Sequence, residues 1–185
     1  MRGLSMNVSE WHEKLLAAAL EARRTWPDFR FNLRQRDQSG RLSRGYWFIG
    51  NDDYLFFAPF APRDSVNKTQ TIGYCIGFDE LGNPKSNYVD IVFKGVANPA
   101  HRKIYARMVH ELGPFKPQEA DHYKRYYLGV DPLRFFQEFM AKDYPRLRAI
   151  LREANAESEF QVAELDFAAM LERVESLRTH LKHIG

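Results

Sequence analysis

The stretch from residue 45 to residue 94 constrains the fold most. It holds four segments of strand length, 45–50, 54–60, 69–78 and 87–94, rich in aromatic and β-branched residues. Turn signals separate them: Asn51-Asp52-Asp53, then Pro62-Arg63-Asp64, then Leu81-Gly82-Asn83-Pro84. In that order the segments make an antiparallel meander. Residues 29–34 alternate apolar and polar and read as a further half-buried strand; 122–128 reads as a short one.

Helical patterns surround the meander. Asn7 or Ser9 is placed to cap a first helix reaching about Arg24, with Trp11, Leu15, Leu16, Ala19 and Leu20 on one face and Pro27 ending it. Further helices are expected at 99–112 and at 132–153, the latter with Leu133, Phe136, Phe139 and Met140 as its apolar face. In 160–184 the apolar positions Phe167, Met170, Val174, Leu177, Leu181 and Ile184 step by three and four. So narrow a stripe suits packing on one partner helix. The fold class is therefore α+β: an antiparallel or mixed sheet of about five strands flanked by helices, with a long C-terminal helix. Residues 1–158 form the expected domain, and 159–185 an amphipathic helix placed to lead into a following one.

Of 185 residues, 44% are hydrophobic, enough for a real core, so wholesale disorder is excluded. Charge is unevenly spread. Residues 20–50 carry seven arginines against three acids, whereas 151–178 carry three arginines against seven acids. One end is expected to meet anions and the other not. The single cysteine, Cys75, excludes an internal disulfide and a cysteine-based zinc site. With no apolar run of membrane length and no signal-peptide core, the expected location is cytoplasmic, with no membrane partner.

No strong catalytic signature is present. There is no P-loop, and His110-Glu111 is followed by Pro114 where a zinc-protease helix needs its second histidine. His180 and His183 have no acidic or histidine neighbours in sequence, so no metal or other cofactor is expected. Asp90 and Lys94 share a strand face in a loose likeness to a metal-dependent nuclease, but the upstream acid would have to be Asp79 or Glu80 in a turn. A polar outer strand face accounts for them better.

In the strand 71–77, Ile72, Tyr74, Ile76 and Phe78 form one face, while Thr71, Gly73, Cys75 and Gly77 leave the other small. Either a closely packed helix or a ligand is expected to approach that small face. If a ligand, Trp47, Tyr54 and Tyr88 are its candidate walls, with Gly73 and Cys75 as its floor. A flat heterocycle such as a flipped base fits that description. Arg34, Arg36, Arg41, Arg44 and Lys68 would hold phosphates beside it, although a solvated basic loop has the same composition.

The run Gly45-Tyr46-Trp47-Phe48-Ile49-Gly50-Asn51-Asp52-Asp53-Tyr54, with Asn67-Lys68-Thr69-Gln70-Thr71-Ile72-Gly73, resembles the N-terminal DNA-recognition modules of McrB-type modification-dependent restriction systems. The resemblance covers about a quarter of the chain. It implies a small non-enzymatic α+β domain that binds DNA and selects a site, often a modified base. An AAA+ or GTPase motor and a nuclease subunit would then be its partners. The rival expectation is a protein-interaction module that oligomerises through the C-terminal helix; a nuclease using Asp90 and Lys94 ranks third.

Overall fold

A computed structural model describes residues 7–63 and 70–185. Asn7 caps α1 (Val8–Ala22) in a capping box: its side chain accepts from the Glu10 N–H, and Glu10 accepts from the Asn7 N–H. The sheet is antiparallel throughout and built from β1 (Ile49–Gly50), β2 (Tyr54–Phe60), β3 (Ile72–Phe78), β4 (Pro84–Val92), β5 (Lys116–Glu119) and β6 (His122–Tyr126). Strand order is β1-β2-β3-β4-β6-β5, with α2 (Pro99–Glu111) between β4 and β5. The sheet thus has six strands rather than about five. The extra one, β5, is an exposed edge strand containing Pro117, and it carries no apolar alternation to announce it.

The helices follow as α3 (Pro132–Glu138), α4 (Tyr144–Glu153), α5 (Glu157–Phe160) and α6 (Glu164–Ile184). α3 and α4 form the single helix expected at 132–153, interrupted by a π-helical turn at Phe139–Asp143. Pro145, the second residue of α4, has no N–H to give, so the hydrogen-bond ladder is disrupted there. The wider turn carries Asp143, which is buried and accepts from Arg125 at 2.6 Å and from the Tyr127 hydroxyl at 2.7 Å.

All helices share one face of the sheet. Leu55, Phe57, Ile72, Tyr74, Ile76, Val89 and Ile91 point into a core completed by residues of α1–α4 and α6. Phe57 sits at its centre, with rings of Phe29, Phe31, Phe48 and Phe136 at 5.0–5.9 Å. The opposite sheet face holds a small second cluster of Phe56, Ala58, Cys75 and Tyr88.

Two expected strands are not ladders. Residues 29–34 are extended, and Phe29, Phe31 and Leu33 are buried as the alternation requires, but they join neighbours through single bonds such as Asn32 N–H to Ala58 O at 2.9 Å. Of 45–50, only Ile49–Gly50 pairs in the sheet. Residues 46–48 are held by isolated bonds, the Arg34 N–H donating to Trp47 O at 2.7 Å and the Tyr46 N–H to Arg41 O at 3.0 Å, together with side chains. Arg34 Nε donates to Tyr46 O at 3.1 Å, and the Phe48 N–H donates to His12 Nδ1 at 3.1 Å.

That second bond makes His12 a stability sensor. His12 is fully buried, and desolvation, then the nearby Arg34 charge, holds its pKa well below the ordinary 6.5. The unfolded chain therefore binds a proton that the folded chain refuses. Stability is full above pH 6.5 and falls as pH drops below it, by up to about 1.4 kcal/mol per pH unit. Urea midpoints should show this decline before the carboxylates titrate, and His12→Gln should flatten it. A wild-type profile that is flat from neutral pH down to the carboxylate range would refute the account.

The C-terminal helix finds its partner in its own chain. Phe167 meets Phe31 edge-on at 5.0 Å, Val174 is buried, and Arg178 pairs with Glu13 of α1. Met170, Leu177 and Leu181 pack half-buried against the same core. Most of the stripe expected to meet a partner helix is thus covered by the domain itself. Among the described residues, no helix is long and apolar enough to cross a membrane.

Candidate nucleic-acid interface

The alternation of residues 29–34 turns Phe29, Phe31 and Leu33 inward, which leaves Arg30, Asn32 and Arg34 for the outer side. Across from them, Ala61 and Arg63 donate backbone N–H groups to Phe160 and Glu159, at 2.8 and 3.0 Å. This pairing brings Arg63 and the start of α6 beside the arginine segment. A trough of about 740 Å³ results, with Asn32, Arg34 and Gln35 on one wall and Asp166, Met170 and Arg173 of α6 on the other. It shares Arg63, Gln161, Val162 and Ala163 with a second basin of about 490 Å³, where Arg30, Arg148 and Arg152 lie.

The arginines of this chain fall into two populations. Beyond residue 100, Arg102, Arg107, Arg125, Arg146, Arg148, Arg152 and Arg178 all sit in ion pairs. Burial alone would lower the pKa of Arg148, but the Asp28 and Glu157 carboxylates more than reverse it. The trough arginines differ. Arg30 donates to Gln161 Oε1 at 2.7 Å, Arg34 to Gly50 O at 2.7 Å, and Arg173 to the Gln35 carbonyl. Among the described residues none of these three, nor Arg63, forms an ion pair with a carboxylate. Asp37, the one acid between residues 29 and 50, is occupied by the Ser43 N–H and hydroxyl. Burial and then the Arg41 charge lower the pKa of Arg34. The cations of this region repel one another.

Of the residues expected to hold phosphate, Arg34 lines the trough. Arg36 is exposed and does not line it, and Arg41 precedes the short helical turn Leu42–Arg44 that Arg44 ends. Arg44 donates to Gly40 O at 3.3 Å and lies 5.4 Å from the Tyr46 ring centre. Lys68 lies outside the described residues, as do Asn67 and Thr69 of the motif that carries the family resemblance.

Of the residues expected to frame a base, Tyr54, Cys75 and Tyr88 come together on one sheet face, and Trp47 does not join them. Trp47 belongs to the helix-side core, is 2% exposed, and donates its indole N–H to Glu13 at 2.9 Å. Cys75 and Tyr88, paired in register between β3 and β4, lie with Tyr54 on the other sheet face, against Phe56 and Ala58. Burial pushes the Tyr88 hydroxyl up, and Lys124 Nζ lies 4.5 Å from its ring centre.

What approaches the small face of β3 is the sheet itself. Beside Gly73, β2 bulges between Phe57 and Phe60, and the Phe57 carbonyl fills the space of a Cβ. Beside Gly77 the Ser86 side chain of β4 does so. Neither a helix nor a ligand is needed to explain these glycines. The nuclease pair is split as well: Asp90 is fully buried with Oδ1 2.7 Å from His122 Nε2, while Lys94 is exposed and pairs with Glu119 at 3.3 Å.

Comparison of the chain with protein-family models, curated proteins and solved structures finds no match.

Proposed function

We propose that the protein is a DNA-binding module that grips the phosphate backbone through Arg34, Arg63 and Arg173 of the trough and Arg30 of the adjoining basin. The observation that carries this reading is the convergence of four arginines, none in an ion pair with a described carboxylate, in a fold that pairs most of its other arginines. Clustered cations raise the energy of the free protein, and a polyanion relieves that repulsion. Arg34 suits the task because backbone carbonyls of Tyr46 and Gly50 already fix its guanidinium. Asn32, Gln35 and Gln161 add amide groups that can bond phosphate or sugar oxygens.

The trough lining contains no aromatic residue, so it favours holding a backbone over stacking bases. The resemblance to McrB-type recognition modules agrees with such a role. On this reading, motor and nuclease activities reside in partner proteins or domains. The burial of Asp90 against His122 favours a non-enzymatic module.

Fluorescence anisotropy with a short duplex across a salt series tests the proposal. With about four phosphates neutralised, the logarithm of affinity should fall against the logarithm of salt with a slope of about −3 to −4. Absence of binding at low salt, or a slope near zero, would remove it.

A further inference from the structure

The loop between β6 and α3 displays Leu128 at 96% and Val130 at 60% exposure, beside a half-exposed Tyr126. Leu81, Leu165 and Ile184 are exposed singly elsewhere, whereas here three large side chains lie within five residues of one loop. This loop is pinned at several points. The Tyr127 N–H donates to Asn87 O at 2.9 Å, and Asn87 Nδ2 donates to Gly129 O at 3.2 Å. The buried Tyr74 hydroxyl shares its proton between Asn87 Oδ1 and Pro132 O, both at 2.8 Å. Gly129 has φ of +134° and presses on the Phe135 ring, where a Cβ would come within 3.1 Å. A buried polar network therefore holds the loop in place with Leu128 and Val130 outward, and the loop is not free to fold back and cover them.

A concave counterpart exists on the same molecule. On the flank of α6 opposite the trough lies a groove of about 750 Å³, floored by Pro27, Phe167, Ala168 and Leu171, which borders the second basin at Asp28, Arg30 and Glu164. Glu164, Glu172 and Glu175 on α6 face Arg23 and Arg30 across the opening, and Asp28 beside those arginines is already paired with Arg148. The loop has matching borders, with Asp131 just after Val130 and Arg134 one turn further, where Arg134 forms no ion pair among the described residues.

We propose that the protein associates head to tail with a second copy of itself, the Leu128–Val130 loop of one molecule entering the α6 groove of the next. Asp131 then meets the Arg23 and Arg30 rim, and Arg134 meets the Glu172 and Glu175 rim. Because the two surfaces differ, the contact is heterologous and leaves one loop and one groove open on every dimer, ready to extend or to close a ring.

Sedimentation of the whole chain from low micromolar to near millimolar concentration tests this. Wild-type mass should rise with concentration beyond the dimer. Leu128→Ser with Val130→Ser in one variant, and Ala168→Arg in another, should each lower the association constant at least about tenfold. All three positions are exposed, and circular dichroism should show each variant folded before its association is compared. Mixing the two variants is decisive: the intact loop of one fits the intact groove of the other, so the mixture forms a dimer and nothing larger. A wild-type monomer at every concentration, variants that associate like wild type, or a mixture that stays monomeric would each overturn the proposal. Duplex affinity, measured on the same variants, reports separately on the trough.

Discussion

Reversing Arg63 and Arg173 together to glutamate should weaken duplex binding at least about 100-fold at near-physiological salt, because each change deletes a phosphate contact and adds a repulsion. The fold should survive it. Arg63 is exposed and ties in through its backbone, while Arg173 bonds just the Gln35 carbonyl among the described residues. Arg34 is a poorer choice, since its side chain holds the Tyr46 and Gly50 carbonyls and its loss would loosen the core side of the segment. The salt slope of the double variant should shrink by about 2, one unit per lost phosphate contact. Arg107→Glu is the matched control: it disturbs the pair with Glu111 and Glu153 away from the trough. That change should lower stability and leave affinity within a few-fold of wild type. A double variant that binds within a few-fold of wild type would sink the trough as the interface, whatever the salt dependence of the parent.

Much of this arrangement is legible in the amino-acid order, and its gaps have particular causes. Residues 54–60 and 72–78 alternate or run apolar between clear turn signals, so β2 and most of β3 follow from pattern alone. The same alternation at 29–34 places Arg30 and Arg34 on one side of the chain although no ladder forms there. Period-two reasoning fails at Tyr46, Trp47 and Phe48. It sends Trp47 away from its neighbours, whereas all three are buried in one core. The failure is physical: side-chain bonds from Arg34 and His12 and isolated backbone bonds hold this segment outside any ladder, so no pleat dictates alternate faces.

The rest of the trough is invisible to local pattern because it is assembled over long sequence distances. Arg63 and Arg173 come to Arg34 only through the pairing of residues 60–63 with 159–161 and the return of α6 along the domain. The acidic count of the C-terminal segment also misleads as a guide to surface. Glu157 and Glu175 there are bonded by arginines, while at 20–50 Arg24 pairs with Glu21 but Arg30 and Arg34 meet no carboxylate among the described residues. Charge asymmetry along a chain marks an anion-facing surface only after pairing is subtracted.

The two glycines of β3 separate a backbone requirement from a side-chain one, and give the largest expected change in stability. At Gly73 an added Cβ would overlap the Phe57 carbonyl oxygen, with Phe57 C at 2.9 Å and Ala58 Cα at 3.1 Å. These are main-chain atoms of a bulge in the centre of the sheet, so relief requires rebuilding the β2–β3 register next to the core residues Phe57 and Tyr74. Gly73→Ala should therefore cost about 3 kcal/mol or more, at the upper end for overpacking. At Gly77 the overlapping atom is the Ser86 hydroxyl, with its Cβ at 3.7 Å, and that side chain can rotate toward solvent. Gly77→Ala should cost about 1 kcal/mol or less, because a rotamer change is cheap beside a backbone shift. Urea denaturation of both variants checks the ordering. Equal losses would mean that β2 yields as readily as a serine rotamer, and that the bulge is not what selects glycine at position 73.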